Sequence, residues 1–258
     1  MNESFAITAL LGLSMGSFLN VCVYRIPRNI SVISPRSFCP HCNRQLQWYE
    51  LVPVGSYLFA RGKCRKCSGR ISVTYLVNEV IVALLFIILF YRYGMSTEFA
   101  LAAAFSCLML AVAIIDWQYL AVPNVVVVSG FVIGIVVKLS FGDASIIRDA
   151  VAAMLAFVTL FTVRFSGNAY FKKETMGWGD VKLAGLIGFF IGFQFFLGSF
   201  WLASAAGAMF GFVRQQGVKN PEEEKIPFGS FLAFASMAAM FSRDAINQLF
   251  ERWSTLLQ

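Results

Sequence analysis

Asp116 ends the apolar run Ala113-Ile114-Ile115-Asp116-Trp117, and Asp180 closes Met176-Gly177-Trp178-Gly179-Asp180; both stand at the edges of otherwise membrane-compatible sequence. A carboxylate at the border of hydrocarbon is costly to keep and marks a candidate functional site. Two carboxylates alone suffice for one chemistry, the activation of water for peptide hydrolysis by an aspartyl pair that shares a proton. The competing roles are an interfacial charge in water for Asp116 and a helix cap for Asp180. Pro123 and Asn124 prevent simple continuation of the helix that carries Asp116. Gly177 and Gly179 leave room for a substrate backbone and for a turn into the next helix.

A second constellation lies upstream. Cys39-Pro40-His41-Cys42 and Cys64-Arg65-Lys66-Cys67 form two C-x-x-C pairs separated by 21 residues. Each places two thiolates on one side of a tight loop, and two such loops close a tetrahedron around Zn2+. Disulfides are the rival use, but they rarely persist in a reducing compartment. With Cys39, Cys42, Cys64 and Cys67 all bound, the metal has no open position and is structural. His41 is expected to stay exposed, and Cys22 and Cys107, inside predicted helices, to behave as small buried hydrophobes.

The elements that position these groups follow from composition. The 258 residues are 58% hydrophobic with mean hydropathy +0.70, too apolar for a soluble domain, and the excess comes in runs long enough to span a bilayer. An all-α polytopic membrane protein is expected, with eight spans near 5–24, 73–91, 99–116, 125–140, 147–164, 180–196, 199–213 and 228–241. The corresponding divisions are a first transmembrane helix (1–24), a basic zinc loop built on the four cysteines (25–72) and a seven-helix membrane domain carrying the aspartates (73–258). The first run lacks a basic flank before it, so it reads as a retained helix rather than a cleaved signal.

Nine basic residues (Arg25, Arg28, Arg36, Arg44, Arg61, Lys63, Arg65, Lys66, Arg70) stand against Glu50 alone between positions 25 and 70, so this one loop carries +8 and the rest of the chain −1 of the +7 net charge. The positive-inside rule makes that loop cytoplasmic and sets it against anionic lipid head groups. Membrane flanks on both sides argue against nucleic acid as its partner. Alternation of eight spans then delivers Asp116 and Asp180 to the cytoplasmic side as well. The acidic run Glu222-Glu223-Glu224 is a candidate attractor for a basic peptide, or simply a solvated loop.

These residues carry a resemblance over nearly the whole chain. The motifs are Gly16-Ser17-Phe18-Leu19-Asn20-Val21 with Tyr24-Arg25-Ile26-Pro27, the cysteine tetrad, Trp48-Tyr49-Glu50, Arg61-Gly62-Lys63-Cys64, and Tyr75 with Glu79. They continue with the segment from Asp116 to Pro123-Asn124, the G-x-G-D motif Gly177–Asp180 with Lys182, and Ile226-Pro227-Phe228-Gly229. Together they resemble the type IV prepilin leader peptidases, bifunctional membrane enzymes that also N-methylate their product. The resemblance implies a GxGD-type aspartyl protease of the cytoplasmic (inner) membrane, with Asp116 and Asp180 as its dyad. It implies prepilins or pseudopilins as substrates and S-adenosyl-L-methionine as methyl donor for the new N-terminal amine. Gln118, Asn124 and Ser230 stand where many relatives carry an acid, an Asp and a Pro.

No nucleotide fingerprint such as G-x-G-x-x-G is present. The resemblance points to the cysteine loop for methyl transfer, with Gly62, Lys63 and Glu79 as the positions involved. Lys63 could equally belong to a solvated basic face, and Glu79 could pair with a loop cation. Other readings stay open: a peptidase without methylation, a proton-coupled transporter using the two aspartates, and a zinc-stabilised scaffold. Helix polarity makes a further prediction: Asp116 at a helix C-terminus holds the proton, while Asp180 at an N-terminus is ionised.

Overall fold

The apolar runs fold into helices because, without water, a backbone must satisfy its own polar groups, and a helix does so within one segment. A computed structural model describes residues 2–215 and 226–256, with side chains described at 3–214 and 226–243. The acidic run 222–224 lies outside the described residues. The helices are α1 (Asn2–Arg25), α2 (Gly55–Phe59), α3 (Val73–Tyr93), α4 (Thr97–Tyr119), α5 (Asn124–Ser140), α6 (Ile146–Phe171), α7 (Trp178–Ile191), α8 (Phe193–Gln215) and α9 (Phe228–Leu256). Five of them, α1, α3, α4, α6 and α8, are long and apolar enough to cross a membrane.

Each expected span falls on a helix, with one difference. The sixth, drawn to residue 196, stops at Ile191 because Gly192 takes φ +84°, a left-handed turn that a residue with a Cβ adopts only at a cost. The 14 residues of α7 reach about 21 Å at about 1.5 Å each, short of a full hydrocarbon core of about 30 Å. Cys22 and Cys107 are half-exposed rather than buried, and all six cysteines are free.

The chain forms two compact units, residues 1–107 and 108–258. The first pairs α1 with α3, so α3 groups with the first helix and the cysteine loop. The two backbones meet at α1 glycines: a Cβ on Gly12 would lie 2.7 Å from the Ala83 Cα, and one on Gly16 would lie 2.7 Å from the Glu79 Cα. Small residues four apart allow this approach, which replaces the hydrophobic drive that lipid does not supply. Toward the loop the pair is locked by polar bonds. The Asn20 amide donates to the Tyr75 carbonyl at 3.0 Å, and Asn78 donates to Asn20 Oδ1 at 2.7 Å.

In the second unit α7 is the central element, packed by α5, α6, α8 and α9. Leu183, Ala184, Leu186 and Ile187 are fully buried, which explains why α7 is apolar on every face. α5 and α6 are stapled at one end by buried Lys138, whose ammonium donates to Asp143 at 2.9 Å, Asp149 at 2.6 Å and the Ser145 hydroxyl at 2.7 Å. The Ser145 amide and Lys138 hold the Asp143 carboxyl down to about 2.

Gly12→Leu is expected to drive a side chain into the α3 backbone, an overpacking cost of about 1–3 kcal/mol that lowers the melting temperature in detergent. Gly198→Ala, with open space around its Cβ position, serves as the neutral control in the same measurement.

Candidate active site

Asp116 lies in the last turn of α4 and is 5% exposed. α4 ends because Leu120 takes the left-handed conformation (φ +53°) and returns its amide to the Asp116 carbonyl at 2.8 Å. The chain then runs to Pro123, which caps α5 as its fixed φ allows. The Asp116 carboxylate faces the start of α9. The Ser230 amide donates to Oδ2 at 2.8 Å, the Gly229 amide also donates, and the Ser230 hydroxyl shares its hydrogen between Oδ2 at 3.1 Å and the Ala113 carbonyl at 2.9 Å. The first amides of a helix have no partner within it, so Asp116 caps α9 from another helix.

Asp180 is the third residue of α7, whose cap is Gly177; the Gly177 amide donates to the Asp180 carboxylate. Asp180 is close enough to Asp116 and to Arg164 for their charges to act on it. The capping role anticipated for Asp180 is therefore present, alongside its approach to the second carboxylate. Arg164, 6% exposed, lays its guanidinium 4.8 Å from the Trp178 ring centroid and binds Glu174 at 3.1 Å, fastening the loop that leads into the motif. Lys182 donates to Asn124 at 2.9 Å and ties the two motifs together.

Gly179 has a different use from the one expected. A Cβ there would lie 2.8 Å from the Val122 Cβ, and one on Gly229 would lie 3.0 Å from both Val122 Cγ2 and Asp116 Oδ2. The space beside Gly179 is filled by this chain's own Val122, not left for a substrate. Val122 thus packs against both motifs. Around Gly177 the nearest atom is Asp180 Oδ2, 3.4 Å from a Cβ position.

The polarity argument considered only the helix that carries each aspartate; Asp116 also receives the N-terminal donors of α9. Sequence reasoning assigned no role to Gly229, Ser230, Val122 or Arg164. The one signal present was Ile226-Pro227-Phe228-Gly229, in which Pro stands just ahead of the helix it starts.

In the first unit the two C-x-x-C segments form matching turns. Cys39 and Cys64 each take a carbonyl five residues on, with Cys39 N to Arg44 O and Cys64 N to Gly69 O both at 2.9 Å; Asn43 and Ser68 close the turns at positive φ. The four sulfurs lie within 4.8 Å of one another, with Cys39 Sγ 3.9 Å from Cys67 Sγ. Four metal–sulfur bonds of about 2.3 Å give a tetrahedron with edges of about 3.8 Å, so the set fits a metal ion. The amides of Cys67 and Lys66 pull the Cys64 thiol down to about 6. At Cys67 the Gly69 amide pulls the same way, but desolvation and the neighbouring sulfurs outweigh it and push the thiol to about 11. Thiols this close ionise together only around a cation. His41 is exposed and bonds the Arg70 carbonyl at 3.2 Å, outside the set.

A cavity of about 410 Å³ lies where the ends of α1 and α3 meet this loop, within the range of small-ligand sites. Lys63 and Glu79 line it and Gly62 does not. Gly62 takes φ +66°, and a Cβ there would lie 2.8 Å from the Tyr57 hydroxyl, so the loop itself requires the glycine. Glu79, 8% exposed, accepts the Val54 amide at 2.7 Å and the Ser17 hydroxyl rather than pairing with a loop cation. Val54 sits at φ +59°, a conformation costly for a β-branched residue, and Glu79 holds it there.

Residues 10–93 match the family model of the bacterial peptidase A24 N-terminal domain, and residues 103–212 match that of the type IV leader peptidase family. A prepilin leader peptidase/N-methyltransferase of Pseudomonas putida is 33% identical, with 95% of this chain and 94% of the relative covered. The chain belongs to the type IV leader peptidase family. A namesake from Bacillus subtilis (strain 168) is 31% identical over 93% of this chain and 95% of its own length. One from Stutzerimonas stutzeri is 30% identical over 98% and 96%. No solved structure matches the chain significantly. Five apolar helices in a member of this family make a multi-pass membrane protein.

Asp116→Ala should leave the Gly229 amide without its acceptor and the Ser230 amide with only the Pro227 carbonyl at 3.1 Å, at a cost of about 1–3 kcal/mol of stability. Asp116→Asn, which keeps a carbonyl acceptor, should cost less. Thermal unfolding of both in detergent tests the cap separately from any catalysis.

Proposed function

We propose that the protein removes the leader peptide of type IV prepilins or pseudopilins and N-methylates the residue so exposed, with S-adenosyl-L-methionine as methyl donor. The approach of Asp180 to Asp116, near enough for the two charges to interact, with Val122 against both segments, supports the peptidase half. A water between the carboxylates gives up a proton to one of them while the other donates a proton to the scissile carbonyl oxygen, and attack on the carbonyl carbon follows. Two amide donors and a shared hydroxyl at Asp116 favour the ionised form there. Asp116 is therefore the base and Asp180 the acid, the reverse of the assignment from helix polarity. Arg164 and Lys182 hold the flanking segments, and Pro123 starts α5 beyond the turn.

In this proposal α1, α3, α4, α5, α6, α8 and α9 span the cytoplasmic membrane of the cell and the shorter α7 crosses most of it among them, with the dyad and the basic loop turned to the cytoplasm. Support comes from the concentration of basic residues between positions 25 and 70. Residues 25–72 act as a zinc-bound module after the first helix, and 73–258 carry the remaining spans. Cys39, Cys42, Cys64 and Cys67 would hold Zn2+ in a closed structural site. When bound, the methyl donor supplies an electrophilic methyl group. The cavity between α1, α3 and the loop is its site, with Lys63 on the wall and the buried Glu79 carboxylate positioned to accept the substrate amine. Gly62 contributes by shaping the turn. Anionic lipids are the partner of the remaining basic face, and nucleic acid is not.

Incubating the purified protein with a prepilin and methyl donor and weighing the product should show loss of the leader and gain of a methyl mass. Cleavage without the methyl mass would leave a peptidase alone; an intact prepilin would overturn the proposal. Asp116→Asn and Asp180→Asn are each expected to lower the cleavage rate by roughly 10²–10⁴-fold or more while leaving a folded protein, because neither amide can move the proton. Cys39→Ser and Cys64→Ser should lose zinc, measured by metal analysis, and fail in methylation before cleavage. Brief mild chelation should leave cleavage intact.

A further inference from the structure

The cavity in the first unit contains two charged groups that the protein shields from bulk water. Arg25, in the last turn of α1, is 4% exposed, and Glu79 on α3 is 8% exposed; of the other charged residues on the wall, Glu50, with a side chain 9% exposed, is paired with Arg44 at 2.6 Å, and Lys63, Arg65 and Arg70 are exposed. The Glu79 carboxylate already has partners in the Val54 amide and the Ser17 hydroxyl. Arg25 is different. Among the described residues its hydrogen bond runs from Nη1 to the Ser31 carbonyl at 2.9 Å, and the Phe38 ring lies 5.9 Å from its Cζ. Both contacts are with neutral groups.

A guanidinium has five N–H donors in a fixed fork, and a desolvated cation with no anionic partner is costly. The fork matches a carboxylate, with two parallel bonds that a lysine ammonium cannot reproduce. The ligand assigned to this cavity carries one such group, the α-carboxylate of its amino-acid end. We propose that Arg25 anchors the carboxylate of the methyl donor, and so fixes that end of the donor at the closing turn of α1. The inference rests on the cavity being the donor site. It adds the contact that orients the donor, and it gives the buried arginine a role that neither cleavage nor zinc binding needs. The ring of Phe38 lies 5.9 Å from the guanidinium carbon.

The test is a binding measurement and needs no turnover. Calorimetry of the purified zinc-loaded protein in detergent compares S-adenosylhomocysteine with 5′-methylthioadenosine, which keeps the nucleoside and lacks the amino-acid end. The wild type should prefer the carboxylate-bearing ligand on the order of 10- to 100-fold, the range of a charge-assisted pair. In Arg25→Gln the preference should fall to near unity, with Arg25→Lys intermediate, while affinity for methylthioadenosine holds. Decarboxylated S-adenosylhomocysteine should behave toward the wild type as methylthioadenosine does, which tests the contact without any substitution. An unchanged preference in Arg25→Gln overturns the anchor and leaves the donor site standing. Failure of the wild type to bind either ligand overturns both. Equal binding of the two ligands, with loss of anionic-lipid binding in Arg25→Gln, would assign the guanidinium to a lipid phosphate and also overturns it.

Discussion

One carboxylate caps a helix to which it does not belong, and the second unit is arranged around that bond. A helix start leaves its first amides without partners, and a buried carboxylate leaves its charge without solvent. Placing Asp116 against Gly229 and Ser230 answers both demands with one contact. It also fixes α4 relative to the start of α9. Gly229 must then lack a side chain, because a Cβ would meet the carboxylate it serves. Val122 reaches the same spot from the turn after α4, and Gly179 must lack a side chain to receive it. A chain of steric necessities thus leads from Asp116 through Val122 to the motif that carries Asp180.

That arrangement bears on how two acids can face each other in a membrane enzyme. Like charges in a site of low dielectric cannot both ionise, so one must keep its proton. The two carboxylates differ in their donors. Asp116 is held by two amides and a shared hydroxyl, whereas Asp180 takes the Gly177 amide and the more distant influence of Arg164. Ser230 contributes both its amide and its hydroxyl.

Much of the fold was legible in the sequence because hydrophobic runs and breakers act locally. The starts near Pro123 and Pro227 mark real helix ends, whereas the stop at Gly192 lies within a span drawn on to residue 196. The cysteine tetrad was legible for the same reason, since each C-x-x-C turn closes within a few residues. What could not be read were contacts between distant segments. The amide of Ser230 is 114 positions from the carboxylate it serves, and no periodicity carries that relation. Gly179 was read as an opening for substrate, since a missing side chain looks the same whether a ligand or Val122 fills the space. The helix-dipole argument likewise treats each helix in isolation and takes no account of the donors that α9 brings to Asp116.

The first unit applies the same principle to a different chemistry. α1 approaches α3 closely enough at Gly12 and Gly16 for backbone contact, and Ser17 then reaches the Glu79 carboxylate. Glu79 in turn holds the strained Val54 corner of the loop, and the loop's two cysteine turns bring four thiols to one point. Helix packing therefore shapes the cavity as much as the metal site does. The glycine interface sets where the acid lies, the acid sets the loop, and the loop brings Phe38 against Arg25 at the end of α1. Each unit thus uses a buried carboxylate to organise backbone amides, at Asp116 for a helix start and at Glu79 for a strained turn. In a protein whose surface meets lipid, such bonds carry positional information that hydrophobic contact alone cannot, because an apolar side chain is equally content against lipid or protein.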